Sequence, residues 1–202
     1  MVKRYKSSQI DELADILKND GVISVPTDTV YGLCAKMDSK KGREKLINIK
    51  KRPPEKSLPV MCADIEQIKS IAIVSEKAEK IINSFMPGPI TIVLLKKETV
   101  PEFVNIGSNE IGIRMAMTKE LQELVKKVGS ALCLTSANQS GEPVCTNLDD
   151  IEKVCPELDG ILEGDVLFGM ASTIVDCTTE EIKIQREGPI SKEEIMKAIE
   201  IM

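Results

Sequence analysis

Apolar and polar positions along the chain change period from segment to segment. Ile10, Leu13, Ala14, Ile16 and Leu17 recur at helical spacing and predict a helix, with Ser8 placed to cap its start and Gly21 to end it. The continuous apolar run Val22-Ile23-Ser24-Val25 is too short for a helix and predicts a buried strand. A second helix is expected after Ser39, with Leu46 and Ile49 inward, stopping before Pro53-Pro54. A strand at 58–63 precedes a helix at 75–85, which carries Ala78, Ile81 and Ile82 inward and is broken by Met86-Pro87-Gly88-Pro89. Strands at 90–95 and 111–115, a helix at 119–128 and a buried strand at 131–134 follow. A short helix at 148–154, strands near 160–162, 173–177 and 182–185, and a last helix capped by Ser191 complete the pattern. These elements interleave without a strict strand-helix-strand rhythm, which predicts an α/β fold on a mixed sheet.

The polar clusters fall where the predicted strands end. Pro26-Thr27-Asp28-Thr29-Val30-Tyr31-Gly32-Leu33 follows the first strand, and Pro26, which cannot donate to a ladder, is expected to stop it. Thr and Asp in such a turn either cap backbone groups or face a ligand, since open α/β sheets bind ligands beyond their strand ends. Thr135-Ser136-Ala137-Asn138-Gln139-Ser140-Gly141 follows strand 131–134 in the same way. Arg114 lies among apolar residues and must reach water or find an anion. Ser172-Thr173 opens a strand, and Arg186-Glu187-Gly188-Pro189 sets another arginine beside a turn. Lys50-Lys51-Arg52 sits at a predicted helix end, where cations complement the helix dipole. A lysine and an arginine on one turn also suit a triphosphate, in a chain with no Walker sequence.

Composition narrows the chemistry. With 202 residues, 42% of them hydrophobic, the chain suffices for one compact domain, and its low aromatic content argues against base stacking. The absence of histidine removes Ser-His-Asp and Cys-His nucleophile systems and the commonest metal ligand. Six cysteines without a C-x-x-C pair read as reduced, buried residues of a cytoplasmic protein, and no apolar run approaches bilayer length. The net charge of -5 argues against a general polyanion binder. Yet between Lys36 and Lys56 nine basic residues face three acidic ones, which leaves open a phosphate-binding element or the patch of a weak RNA-binding module.

Taken in order, the Pro26 to Leu33 run, Lys50-x-Arg52-Pro53, Pro87-Gly88-Pro89-Ile90-Thr91, Gly112-Ile113-Arg114, Ser136-Ala137-Asn138 with Ser140-Gly141, Ser172-Thr173-Ile174-Val175-Asp176 and Arg186-x-Gly188 resemble the YrdC/Sua5/TsaC family of threonylcarbamoyl-AMP synthases. The resemblance implies a YrdC-like twisted mixed sheet with flanking helices and a deep, positively lined cavity, in the short form whose one domain spans 1–202 without the further C-terminal domain of the longer Sua5 type. It implies condensation of L-threonine, bicarbonate and ATP to threonylcarbamoyl-AMP and pyrophosphate, for the t6A base of tRNA. Mg2+ would be carried by ATP, and downstream t6A transferase proteins would take the product. By motif, Lys50, Arg52, Ser136 and Asn138 would hold the phosphates and the reacting carbamate. Thr29, Arg114, Thr135 and Ser172 would surround threonine, with Arg114 on its carboxylate, while Arg186 and the backbone near Val144 would contact the nucleotide. Two positions depart from the family pattern: Ala116 stands where Pro is frequent, and Met61 where many members have a histidine, whose hydrogen bond a thioether cannot replace.

Overall fold

The computed structural model describes residues 1–115, 117–167 and 169–200, so Ala116 lies outside the described residues. The chain runs β1 (Arg4–Tyr5), α1 (Ile10–Lys18), β2 (Val22–Pro26), β3 (Tyr31–Lys36), α2 (Lys40–Lys50), β4 (Val60–Cys62), α3 (Ile65–Ile71), β5 (Ala72–Ile73) and α4 (Glu76–Phe85). It continues through β6 (Ile90–Lys96), β7 (Glu110–Met115), α5 (Lys119–Val128), β8 (Leu132–Ser136), α6 (Leu148–Val154), β9 (Gly160–Leu162), β10 (Thr173–Asp176), β11 (Lys183–Arg186) and α7 (Lys192–Glu200). One sheet joins the strands in the order β1-β9-β2-β3-β8-β4-β7-β6-β10-β11, with β5 pairing the outer part of β6. Parallel pairs (β2 with β9, β4 with β7, β6 with β10) and antiparallel ones (β2 with β3, β3 with β8, β6 with β7) share the sheet, as the irregular element rhythm predicts.

Both faces of the sheet are covered, which is why its strands read as continuous apolar runs. Ile23, Val25, Cys34, Met61, Leu132 and Leu134 pack with Leu13 and Leu17 of α1 and Leu121, Leu124 and Val125 of α5. Val22, Leu33, Ala35, Val60 and Cys133 pack instead with Leu46 and Ile49 of α2, Ala78, Ile81 and Ile82 of α4, and Ile151 of α6. All six cysteines are free and buried. Among the described residues no helix is long and apolar enough to cross a membrane.

Local chemistry accounts for several element ends. Ser39 Oγ accepts from Gly42 N at 2.8 Å, Ser75 Oγ accepts from Ala78 N at 3.2 Å, and Gly129 ends α5 in the left-handed region. Ser8 does not cap α1; it lies in a short 3-10 turn, Ser7–Gln9, that leads into the helix. Gly21 donates its N–H to Ile16 O at 2.9 Å past the helix end, but the left-handed turn expected of it is made by Asp20, φ +64°.

The largest departure from the sequence pattern lies after Val25. Strand β2 continues through Pro26, which pairs with Tyr31, and the chain returns at once as β3. The run is therefore a β-hairpin whose loop is residues 27–30. Pro26 is tolerated because β9 pairs only with Ile23 and Ser24, so no ladder bond is demanded of it on that side. The segment around Ile65 to Ile71 forms α3, which the sequence pattern does not mark; Asp64 caps it through Gln67 N at 2.9 Å.

Candidate active site

The hairpin loop is held by one hydroxyl. Thr27 Oγ1 accepts from the backbone N–H of Thr29 at 3.2 Å and of Val30 at 3.1 Å, and donates to Val30 O at 2.6 Å. Thr29 Oγ1 lies 3.0 Å away, within hydrogen-bond distance of Thr27 Oγ1. The Thr29 oxygen in turn accepts from Arg114 Nη1 at 2.8 Å, across from β7. Asp28, its side chain fully buried, takes two bonds from Arg114 Nη2 at 2.8 and 3.0 Å. Burial pulls the Arg114 guanidinium below its ordinary value; Asp28 opposes that pull, and the charge of Arg186 adds to it. Arg114 Nε is buried with no hydrogen-bond partner among the described residues.

A second group of cations forms where α2 ends. Lys51 adopts a left-handed backbone, φ +50°, and turns the chain so that Lys50 and Arg52 point to different surroundings. Lys50, only 2% exposed, donates to Ser136 O and Asn138 Oδ1, each at 2.6 Å, and lies 3.2 Å from Asn138 O. Burial, and then the charge of Arg52, lower its pKa to about 8. Asn138 completes the brace: Ser136 Oγ donates to its Oδ1 at 2.7 Å, and its amide donates to Glu142 O at 2.6 Å. Arg52 donates to Ser57 O at 2.7 Å, and Arg186 donates to Ser172 O at 2.8 and 3.0 Å. Ser172 Oγ shares a hydrogen with Thr91 Oγ1 at 2.8 Å.

These groups surround one cavity of about 980 Å³, within the size that small-molecule sites usually have. Eight of the ten site positions expected from the sequence line it: Thr29, Arg52, Arg114, Thr135, Ser136, Val144, Ser172 and Arg186. Lys50 and Asn138 do not line it; they stand behind Ser136 and hold the turn that does. Thr135 and Ser136 belong to β8, paired with Leu33 and Gly32, rather than to the turn after it. A Cβ at Gly32 would lie 2.7 Å from Leu134 Cδ1, so a side chain there would displace the end of that leucine. Met61 is fully buried in the apolar layer beneath α1 and α5 and does not line the cavity.

Three contributors were not singled out by sequence reasoning. Thr91 lines the cavity as the partner of Ser172, and Tyr31 donates its hydroxyl to Gly164 O at 2.9 Å, fixing the start of a segment whose Val166, Met170 and Ala171 also line it. Asp28 is the third. All three lie inside motifs quoted above; their roles depend on partners 81 to 133 residues away, which no local pattern marks. The basic segment from Lys36 to Lys56 does not form one open face: Lys36 pairs with Asp38 and Lys45 with Asp159, while Arg43 and Lys50 are buried.

The cavity thus offers three arginines and a set of hydroxyls to anionic ligands, with no histidine base. Known proteins resemble the chain in sequence and in fold. A family model, Sua5/YciO/YrdC, described as telomere recombination, matches residues 15–188. A Methanocaldococcus jannaschii relative is 36% identical over 178 residues, covering 86% of this chain and 84% of its own. The threonylcarbamoyl-AMP synthase of Bacillus subtilis is 32% identical over 198 residues; the chain spans 56% of its length. The crystal structure of Pyrococcus abyssi Sua5 complexed with L-threonine superposes with a TM-score of 0.92 at 28% identity, over 99% of this chain and 61% of that one. The family model over most of the chain and the relatives' identity show that this chain belongs to the Sua5/YciO/YrdC family.

Proposed function

We propose that the chain is an L-threonylcarbamoyladenylate synthase, a nucleotidyltransferase that condenses L-threonine, bicarbonate and ATP and releases pyrophosphate. The observation that carries this reading is that one cavity combines a carboxylate-paired arginine, suited to an amino acid, with cations whose partners are neutral oxygens, suited to phosphates.

In this reading the threonine carboxylate meets Arg114 beside Thr29, with Thr135 and Ser172 around the rest of the amino acid. Arg52 and Ser136 face the phosphates, Lys50 supplies charge from behind the turn that Asn138 braces, and Arg186 and Val144 contact the nucleotide. The threonine amine attacks the carbon of bicarbonate, which loses water to leave a carbamate, and the carbamate oxygen then attacks the α-phosphate and expels pyrophosphate. The protein's part is to bring anions together and neutralise the charge that gathers on phosphorus. Mg2+ enters on the triphosphate as part of the substrate. The product would pass to t6A transferase proteins in the cytoplasm, a compartment that suits six unpaired thiols.

The test is pyrophosphate release from ATP with threonine and bicarbonate omitted in turn. Release only when all three are present is expected; release without threonine or without bicarbonate overturns the reading. RNA binding that weakens steeply with salt and ignores threonine would favour the RNA-binding alternative.

A further inference from the structure

We propose that Asp28 is the positioning residue that makes one part of the cavity select a zwitterionic amino acid over a phosphate, by fixing and neutralising Arg114. The inference rests on the threonylcarbamoyladenylate reading and goes beyond it, because Asp28 touches no substrate. Its side chain is fully buried and does not line the cavity, so it can act only through what it binds.

Three observations place it in that role. Asp28 takes Arg114 Nη2 with both oxygens and Thr29 takes Nη1, so the guanidinium is clamped from one side. The Nε–H is buried and without a partner, so the clamp holds the guanidinium through its two terminal nitrogens alone. The clamp itself is stiff, because Thr27 ties the loop at three backbone atoms. Charge then sets the choice of ligand. A bare guanidinium near Arg186 would recruit the nearest polyanion, and ATP is the polyanion this cavity admits. With Asp28 in place the pair is neutral overall, so it offers directed donors to a carboxylate whose own molecule carries an ammonium, and little net attraction to phosphate.

Asp28→Asn keeps the shape and removes the charge. Pyrophosphate-release kinetics are expected to show a threonine KM raised about tenfold or more, with the ATP KM changed less than about twofold. Inorganic phosphate should inhibit this variant competitively with threonine while leaving the wild type unaffected at the same concentration. Asp28→Glu, which retains the charge and shifts it by one methylene, should raise the threonine KM without making phosphate a competitor. Circular dichroism identifies a variant that fails to fold; the remaining one then decides, Asp28→Asn by phosphate competition and Asp28→Glu by its threonine KM. A wild-type threonine KM in a folded variant, or equal increases in both KM values with no phosphate competition in Asp28→Asn, overturns the proposal. Calorimetric titration of inorganic phosphate into wild type and Asp28→Asn needs no turnover, with binding at least about tenfold tighter in the variant expected. Equal binding overturns the charge argument even where the synthase reading holds, whereas wild-type pyrophosphate release without threonine counts against that reading.

Discussion

Two parts of the cavity wall treat positive charge in opposite ways. On the hairpin side Arg114 meets a buried carboxylate, so the wall is rich in hydrogen-bond donors but nearly neutral. Where α2 ends, Lys50 and Arg52 meet only carbonyl, hydroxyl and amide oxygens, and Arg186 across the cavity likewise binds Ser172 O. Neutral oxygens orient a cation without cancelling it, so this wall keeps its charge for a ligand. In the proposed synthase the same residue types would serve two substrates, and the difference lies in the partner behind each cation.

The sharpest test removes one cation from each side. Arg114→Ala leaves Asp28 buried and uncompensated, so it should lower unfolding free energy by about 3–5 kcal/mol, read from urea unfolding, and raise the threonine KM more than the ATP KM. An unchanged threonine KM would remove Arg114 from the carboxylate. Arg52→Ala strands no opposite charge, so it should leave stability nearly unchanged while lowering pyrophosphate release by roughly 100-fold or more. Full activity in that variant would break the comparison.

Titration gives a smaller effect. Because the Lys50 pKa in the fold, about 8, lies below its ordinary 10.5, folding disfavours the ammonium, and that penalty is fully present below about 8. Stability should therefore rise between about 8 and 10.5 as the unfolded chain alone holds the proton. Affinity for ATP should fall over the same rise through about 8, and a Lys50→Arg variant, charged throughout, should lack the inflection. The smallest effect belongs to Tyr31→Phe, which loses the bond to Gly164 O and should cost about 0.5–1.5 kcal/mol in urea unfolding with both KM values nearly unchanged. A large threonine defect there would mean that the hairpin acts through the segment it anchors as much as through Asp28.

Much of the architecture was legible because its signals are local. Helices α2, α4 and α5 follow from apolar spacing with Ser39, Ser75 and Gly129 at their ends, and the mixed sheet follows from the irregular order of elements. Strand β3 was not legible. Its sequence Tyr31-Gly32-Leu33-Cys34-Ala35-Lys36 has little strand preference, and only pairing on both sides, with β2 and β8, makes it a strand. Two-residue β1 and β5 carry too few positions for a period to show.

The site divides in the same way. By itself the sequence determined which residues are available: hydroxyls and cations at strand ends, no histidine, and motifs in a recognisable order. Tertiary structure decided what each one faces. It put Lys50 and Asn138 behind the turn instead of in the cavity, turned the Thr27 run into a hairpin loop, and set Asp28 against an arginine 86 positions away. The reason is physical: a side chain's type is written in the chain, but its charge balance depends on neighbours that only the folded sheet brings within a few ångströms.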